Sequence, residues 1–204
     1  VEAFKARRKL YKPERRTGRL EVKQDLNELA DWMTEVEKLD DVTAEFFLWM
    51  LFTGCRLGEA TGLQWSDINW KASEWTIADP KNRRSTTLPI PSYLKPRLLA
   101  RKQRKGPVFP VKHLGRTARQ KVAEAIGKDW TNHDLRRSFS GFAAGARVPH
   151  TAIKQLMNHA VGADITSQYI GESADLHEEL ARVEEHILRL AGRSDNVSRL
   201  KVVS

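Results

Sequence analysis

The chain has 204 residues, of which 40% are hydrophobic and 30% charged, and it carries a formal net charge of +9 at pH 7. This size allows one hydrophobic core, and the composition is that of a soluble globular domain. Because no apolar run approaches the roughly 18 residues of a membrane helix, a membrane-spanning protein is excluded and no membrane partner is expected. The single cysteine, Cys55, excludes an internal disulfide and favours a reducing, cytoplasmic location.

The charge is unevenly distributed along the sequence. Residues 21–78 hold four basic and twelve acidic side chains, whereas residues 79–137 hold sixteen basic and four acidic ones. A basic section beside an acidic one predicts a face with a strong positive field, which attracts polyanions such as nucleic acid.

Residues 1–20 contain eight basic side chains, few apolar ones, and the breakers Pro13 and Gly18. This composition predicts an extended basic interdomain linker after a preceding domain. Such a linker either lies along phosphate or forms a free end, and the sequence leaves both open.

The next section has the apolar periodicity of helices. Asp25 and Glu28 form a capping-box-like start for the first helix, and Gly54 can end the second in a left-handed cap. Polar hairpin residues 80–85 separate the last two of three predicted strands. The predicted helices and strands, in chain order, are helices 26–39, 43–52 and 59–63, strands 67–70, 74–78 and 86–90, and helices 92–104, 116–126, 132–145, 149–158 and 175–190.

This order of elements predicts an α+β fold that is mainly helical, with a small antiparallel β-sheet at one edge. The domain is expected to span residues 21–191, with residues 192–204 as a C-terminal tail. In helix 175–190, apolar residues alternate at spacings of four and three, so a narrow apolar seam docks either on this domain or on a neighbouring protomer.

The most informative motif is Asn132-His133-Asp134-Leu135-Arg136-Arg137. If Thr131 caps a helix and Asp134 reaches back as its partner, His133 and Arg136 lie one turn apart at the same helix end. A second arginine, Arg56, lies at an earlier helix junction.

These side chains, with His159 and Tyr169, suggest a phosphate site. A phosphodiester undergoing displacement gains negative charge, and the planar fork of arginine meets that charge with paired hydrogen bonds. A tyrosine hydroxyl can attack phosphorus and later leave, which conserves the bond energy in a covalent intermediate. Histidine and lysine can move the protons at neutral pH.

In this order the residues resemble the signature of the tyrosine recombinase (phage integrase) family. The resemblance covers roughly residues 42–172. Thr-Gly-Cys-Arg-Leu-Gly-Glu at 53–59 resembles the first arginine box, His-Asp-Leu-Arg-Arg at 133–137 the second, and Leu-Met-Asn-His at 156–159 with Tyr169 the third.

The resemblance implies the fold of the family's catalytic domain and a role for each matching residue. Tyr169 is the nucleophile that forms a 3′-phosphotyrosine, and Arg56 and Arg136 clamp the non-bridging oxygens. His133 assists deprotonation of the tyrosine, and His159 hydrogen-bonds the phosphate.

Further roles follow from the same resemblance. Lys81 in the hairpin is expected to protonate the departing 5′ oxygen, although Arg83 and Arg84 share the hairpin and can take its place. Glu59 is expected to support Arg56, while Arg83, Arg84 and Arg137 are expected to contact DNA.

The implied partner is a double-stranded DNA attachment site. The protein is expected to bind this site as a homotetramer, and to be a monomer or weakly self-associated when free of DNA. No metal, nucleotide or other cofactor is implied. Arg137 stands where many members have histidine, Asn158 replaces a common glycine, and the gap from His159 to Tyr169 is one residue longer than in many members. Two alternatives remain open: a type IB topoisomerase-like enzyme that relaxes DNA, and a non-catalytic DNA-binding regulatory derivative.

Overall fold

The computed structural model describes residues 22–23, 26–79, 84–102, 104–111, 115–159 and 175–193. The expected linker 1–20 and residues 194–204 of the expected tail lie outside these ranges, and the domain limits therefore stay a prediction. No helix within the described ranges is long and apolar enough to cross a membrane.

The described residues form the mainly helical α+β fold that the sequence predicts. The strands are β1 Val22–Lys23, β2 Leu26–Asn27, β3 Ile68–Asn69, β4 Glu74–Asp79 and β5 Arg84–Pro89. The α-helices are α1 Glu28–Glu37, α2 Asp41–Thr53, α3 Leu57–Gly62, α4 Lys95–Ala100, α5 Arg116–Ile126, α6 Asn132–Gly145, α7 His150–Leu156 and α8 Leu176–Leu190.

Helix α2 is the centre of the core. Its N-terminus is capped by Asp40, whose side chain accepts a hydrogen bond from Thr43 N–H at 3.0 Å. Every residue from 44 to 53 is buried, so the helix is enclosed on all sides, as expected for one that is apolar around its whole circumference. Edge-to-face aromatic contacts connect α2 to its neighbours. The ring centroids of Phe47 and Trp130 are 5.1 Å apart, and those of Trp49 and Trp75 are 5.2 Å apart.

The three-stranded sheet is antiparallel in the order β3–β4–β5. The register pairs Trp75 with Leu88 and Ile77 with Thr86 across β4 and β5. Trp75 is buried against Trp49, so one face of the sheet packs on α2. This packing fixes the facing ends of β4 and β5, where Asp79 pairs with Arg84.

Helix α8 packs on the body of its own chain. Leu180, Val183 and Ile187 are buried, and α8 contacts α6, α7, α2 and β5. Beyond the helix, Arg193 Nη1 lies 2.7 Å from Glu37 Oε2 on α1. The apolar seam of α8 thus docks on the chain's own domain, which is one of the two possibilities that the sequence left open.

Some predicted helix limits are wrong, each for a local reason. The first helix begins at Glu28 rather than at residue 26, because Leu26–Asn27 pairs with Val22–Lys23. The helix predicted over 92–104 spans only Lys95–Ala100, since Arg101 turns away to meet Glu45 and the Val108 carbonyl.

The helix predicted over 149–158 is also shorter. It spans His150–Leu156, because Pro149 precedes it as the cap and Asn158 adopts a left-handed conformation.

Candidate functional site

The N-terminus of α6 forms as its capping box predicts. Thr131 N–H donates to Asp134 Oδ2 at 3.0 Å, and Asp134 N–H donates to Thr131 Oγ at 3.3 Å. Asp134 and Arg136 are buried at this end, whereas His133 and Arg137 are exposed. Arg137 Nη1 lies 3.8 Å from Asp134 Oδ1, so much of its charge remains available to solvent or to a ligand.

Arg136 joins three segments of the fold. Its Nη1 donates to the Gly54 carbonyl at 2.6 Å after α2, and its Nη2 donates to the Met157 carbonyl at 2.9 Å after α7. Desolvation by burial, and then the neighbouring cation Arg56, lower the pKa of Arg136. A guanidinium nevertheless stays protonated in proteins, so the site holds a fixed positive charge with only 6% of the residue exposed.

The position of Gly54 depends on close packing. Gly54 ends α2 with φ at +61°, and its N–H donates to the Met50 carbonyl at 3.1 Å. A Cβ atom at this position would lie 2.3 Å from Phe139 Cδ1 on α6. Glycine is therefore required both by the left-handed turn and by the approach of α6.

Arg56 follows this turn and is held by Glu59. Arg56 N–H donates to Glu59 Oε2 at 2.6 Å, and Arg56 Nη1 donates to Glu59 Oε1 at 2.8 Å. The arginine side chain is 48% exposed and the carboxylate side chain 11% exposed. The expected support of Arg56 by Glu59 thus corresponds to two direct hydrogen bonds.

His159 directly follows the turn after α7 and is exposed. Desolvation, then the cations Arg136 and Arg56, lower the pKa of His159 below its ordinary value. The imidazole is therefore mainly neutral at pH 7, and its ring N–H can donate a hydrogen bond to an anion.

Arg56, His133, Arg136 and His159 line one cavity of about 400 Å³. Two permanent cations and two imidazoles with ring N–H donors suit this cavity to an oxyanion such as a phosphate group. Cys55 belongs to its apolar wall, and burial raises the pKa of the Cys55 thiol to about 12, so this cysteine is inert. Within the described part of the chain, no group of three or more His, Cys, Asp or Glu side chains could hold a metal ion.

Several predicted site residues lie outside the described residues. They are Tyr169, Lys81 and Arg83. Arg84 is described only by its backbone, which opens β5 opposite Asp79. The structure thus brings together Arg56, Glu59, His133, Arg136 and His159, and it places Arg137 exposed beside them on α6. The positions of Tyr169, Lys81, Arg83 and the Arg84 side chain stay predictions.

The sequence reasoning missed the turn formed by Met157 and Asn158. The Met157 carbonyl receives Arg136, and the Asn158 carbonyl receives Arg56 Nη1 at 2.7 Å. Backbone acceptors leave no residue-type signal in a sequence. The available signal was the replacement of a common glycine by Asn158, which has φ at +47°.

The family model described as the phage integrase family matches residues 21–175. The chain belongs to the phage integrase family. Prophage integrase IntF of Escherichia coli strain K12 is 28% identical to this family member over 184 residues, which cover 81% of this chain and 39% of IntF. The chain therefore spans well under half the length of this curated relative.

Solved structures share the fold of this phage integrase family member at low sequence identity. The crystal structure of XerA recombinase has a TM-score of 0.54 at 20% identity, covering 84% of this chain and 66% of XerA. The integrase from mycobacterium phage Brujita has a TM-score of 0.52 at 18% identity, covering 84% and 56%. XerH site-specific recombinase, bound to its difH substrate in a pre-cleavage complex, has a TM-score of 0.52 at 14% identity, covering 86% and 52%. These likenesses confirm the predicted tyrosine recombinase catalytic-domain fold.

Proposed function

We propose that this chain is the catalytic part of a site-specific DNA recombinase or integrase that cleaves and rejoins strands through a phosphotyrosine. The observation that carries the proposal is the convergence of Arg56, Arg136, His133 and His159 on one cavity. Family membership supports the same reaction class.

In the cleavage step, Tyr169 Oη forms a bond to the scissile phosphorus and the bond from phosphorus to the 5′ oxygen breaks. His133 accepts the tyrosine proton, and Lys81 gives a proton to the departing 5′ oxygen. Arg56 and Arg136 stabilise the charge that develops on the non-bridging oxygens, and the His159 ring N–H donates to the same phosphate.

Strand exchange is the reverse of cleavage with a different hydroxyl. The free 5′-hydroxyl of a partner strand attacks the phosphotyrosine, the new phosphodiester forms, and Tyr169 leaves with its proton restored. One phosphoester replaces another at each step, so the reaction needs no ATP as an energy source. No metal cofactor is part of the proposal.

The proposed partner is a double-stranded attachment site, bound by four copies of the protein. The basic section 79–137 supplies charge for the DNA backbone, and Arg83, Arg84 and Arg137 are proposed contacts. Affinity should fall steeply as salt rises, because each phosphate contact releases counterions. XerH, which shares the fold, is bound to its difH substrate.

The test is covalent trapping on a nicked duplex taken from the attachment region that flanks the gene. We expect a protein–DNA adduct that is lost in Tyr169→Phe. Tyr93→Phe is the matched control, because Tyr93 has no predicted role in cleavage and its hydroxyl donates to Glu37 Oε1 at 2.8 Å. The adduct should persist in this variant.

Other outcomes would overturn the proposal in distinct ways. An adduct retained in Tyr169→Phe would transfer the nucleophilic role to another residue. Binding of the duplex with no adduct would support the non-catalytic alternative, and relaxation of a plasmid without a specific site would support the topoisomerase-like one.

A further inference from the structure

Asn158 occupies the left-handed position that ends α7. Its N–H donates to the Gln155 carbonyl and the N–H of His159 donates to the Lys154 carbonyl, both at 2.9 Å. This pair of bonds is the Schellman arrangement, in which the left-handed residue is usually glycine. Asparagine is the usual alternative to glycine in this conformation. Its amide, however, makes contacts at this position that glycine could not make.

The amide closes a ring of hydrogen bonds around Arg56. Asn158 Nδ2 donates to Glu59 Oε1 at 3.0 Å, the same oxygen that accepts from Arg56 Nη1 at 2.8 Å. Arg56 Nη1 also donates to the Asn158 carbonyl at 2.7 Å. One residue thus contacts both members of the ion pair, the carboxylate through its side chain and the guanidinium through its main chain.

This ring is needed because Arg56 is half exposed. An exposed arginine has many rotamers of similar energy, and an isolated surface ion pair selects among them only weakly. A carboxylate whose position is fixed by a second donor holds its arginine partner in a narrower range of orientations.

The same turn also holds the second arginine. The carbonyl of Met157 receives Arg136 Nη2, and the next carbonyl, that of Asn158, receives Arg56 Nη1. The relative placement of the two guanidiniums is therefore set by the geometry of a single turn. The residue that shapes this turn and binds Glu59 is Asn158.

We propose that Asn158 is a positioning residue for DNA strand cleavage: its amide, through Glu59, holds the Arg56 guanidinium in the orientation that receives the scissile phosphate. The inference rests on the proposed function and assigns to the third box a role in orienting the arginine of the first. Asn158 acts through Arg56 and does not itself touch the reacting atoms.

The variant Asn158→Gly removes only the amide, because glycine adopts the left-handed turn freely. Ser73→Gly is the matched control, since Ser73 is another non-glycine residue with positive φ, at +57°, in the turn before β4. In single-turnover trapping on the nicked attachment-region duplex, Asn158→Gly should form adduct about tenfold more slowly, the effect of one hydrogen bond that is lost in the transition state. Its Tm and its Kd for the duplex should match those of the wild type.

A second substrate separates positioning from general damage to the fold. When the scissile phosphate is replaced by a neutral methylphosphonate, Arg56 has less negative charge to stabilise. The rate difference between Asn158→Gly and wild type should then shrink. An equal loss on both substrates would contradict the proposal.

A measurement without DNA keeps the two hypotheses distinct. The NMR order parameter of Arg56 Nε–H should fall in Asn158→Gly and stay unchanged in Ser73→Gly. An unchanged order parameter with an unchanged cleavage rate would overturn the role of Asn158 and leave the recombinase proposal standing. If the order parameter of Arg56 falls in Asn158→Gly but the wild type forms no adduct, the positioning of Arg56 by Asn158 is supported and the proposed function is overturned.

Discussion

Glu184 on α8 gives the sharpest test of how the C-terminal helix is held. The residue is 2% exposed, and its carboxylate accepts hydrogen bonds from Tyr93 N–H, at 2.6 Å, and from the Ser92 backbone and hydroxyl. Burial raises the pKa of Glu184 from 4.5 to about 7, against the opposing effect of these bonds. Since one pKa unit corresponds to about 1.4 kcal/mol, keeping this group ionised in the folded state costs about 3 kcal/mol.

The folded protein therefore holds the Glu184 proton more tightly than the unfolded chain does. The stability that this proton contributes is fully present below pH 4.5 and is lost as pH rises through 7. Glu184→Gln keeps the shape and removes the titration, so it should stabilise the fold by up to about 3 kcal/mol at pH 8 and by little at pH 4.5. Urea unfolding at several pH values measures the difference.

Glu178→Gln is the control for this experiment. It removes the same charge from the same helix, but the Glu178 side chain is 63% exposed and pairs with Arg182, one turn away, at 2.6 Å. Its effect should stay within about 0.5 kcal/mol at every pH. If Glu184→Gln showed the same pH dependence as the wild type, the carboxylate would be ionised in its buried position and the reasoning would be refuted.

Three further predictions concern the site and the core. Arg136→Lys replaces a guanidinium that donates to two carbonyls by a single ammonium group. The rate of adduct formation, measured by trapping, should fall about a hundredfold, while DNA binding, measured by gel shift, is largely kept. Arg56→Gln removes one of the cations that lower the pKa of His159, so the His159 midpoint in an NMR titration should rise towards 6.5; an unchanged midpoint would show that Arg56 has no effect on this pKa. Arg101→Met leaves the Glu45 carboxylate buried without its partner and should cost about 3 kcal/mol in urea unfolding, whereas the double variant Arg101→Met, Glu45→Met should recover most of that loss.

The sequence predicts the elements whose signals are local. The capping box of Thr131 and Asp134 marks the start of α6 correctly, and Gly54 marks the end of α2. Both signals depend on residues within one turn of the helix end, so no tertiary information is needed. The apolar run of α2 likewise predicts its burial, because a helix without a polar face has no side to expose.

What the sequence could not predict depends on contacts between distant segments. Arg101 leaves its helix for Glu45, which is 56 residues away, and no local pattern marks that choice. The same holds at the site, where Arg136 bonds carbonyls from two segments that lie 82 and 21 residues away. Family resemblance supplied the identity of the site residues, but the acceptors that orient them are backbone atoms and therefore absent from any motif.

The contact between Gly54 and Phe139 has a consequence for how this protein can change over generations. Gly54 supplies the carbonyl that accepts from Arg136, and its Cα lies so near the Phe139 ring that there is no room for a Cβ atom. An allele with alanine at 54 would displace that ring and the carbonyl together, so the two positions cannot vary independently. In a genetic selection for recombination, second-site revertants of Gly54→Ala should therefore be found at Phe139, as smaller side chains deep in the interior, rather than among the exposed residues of the cavity.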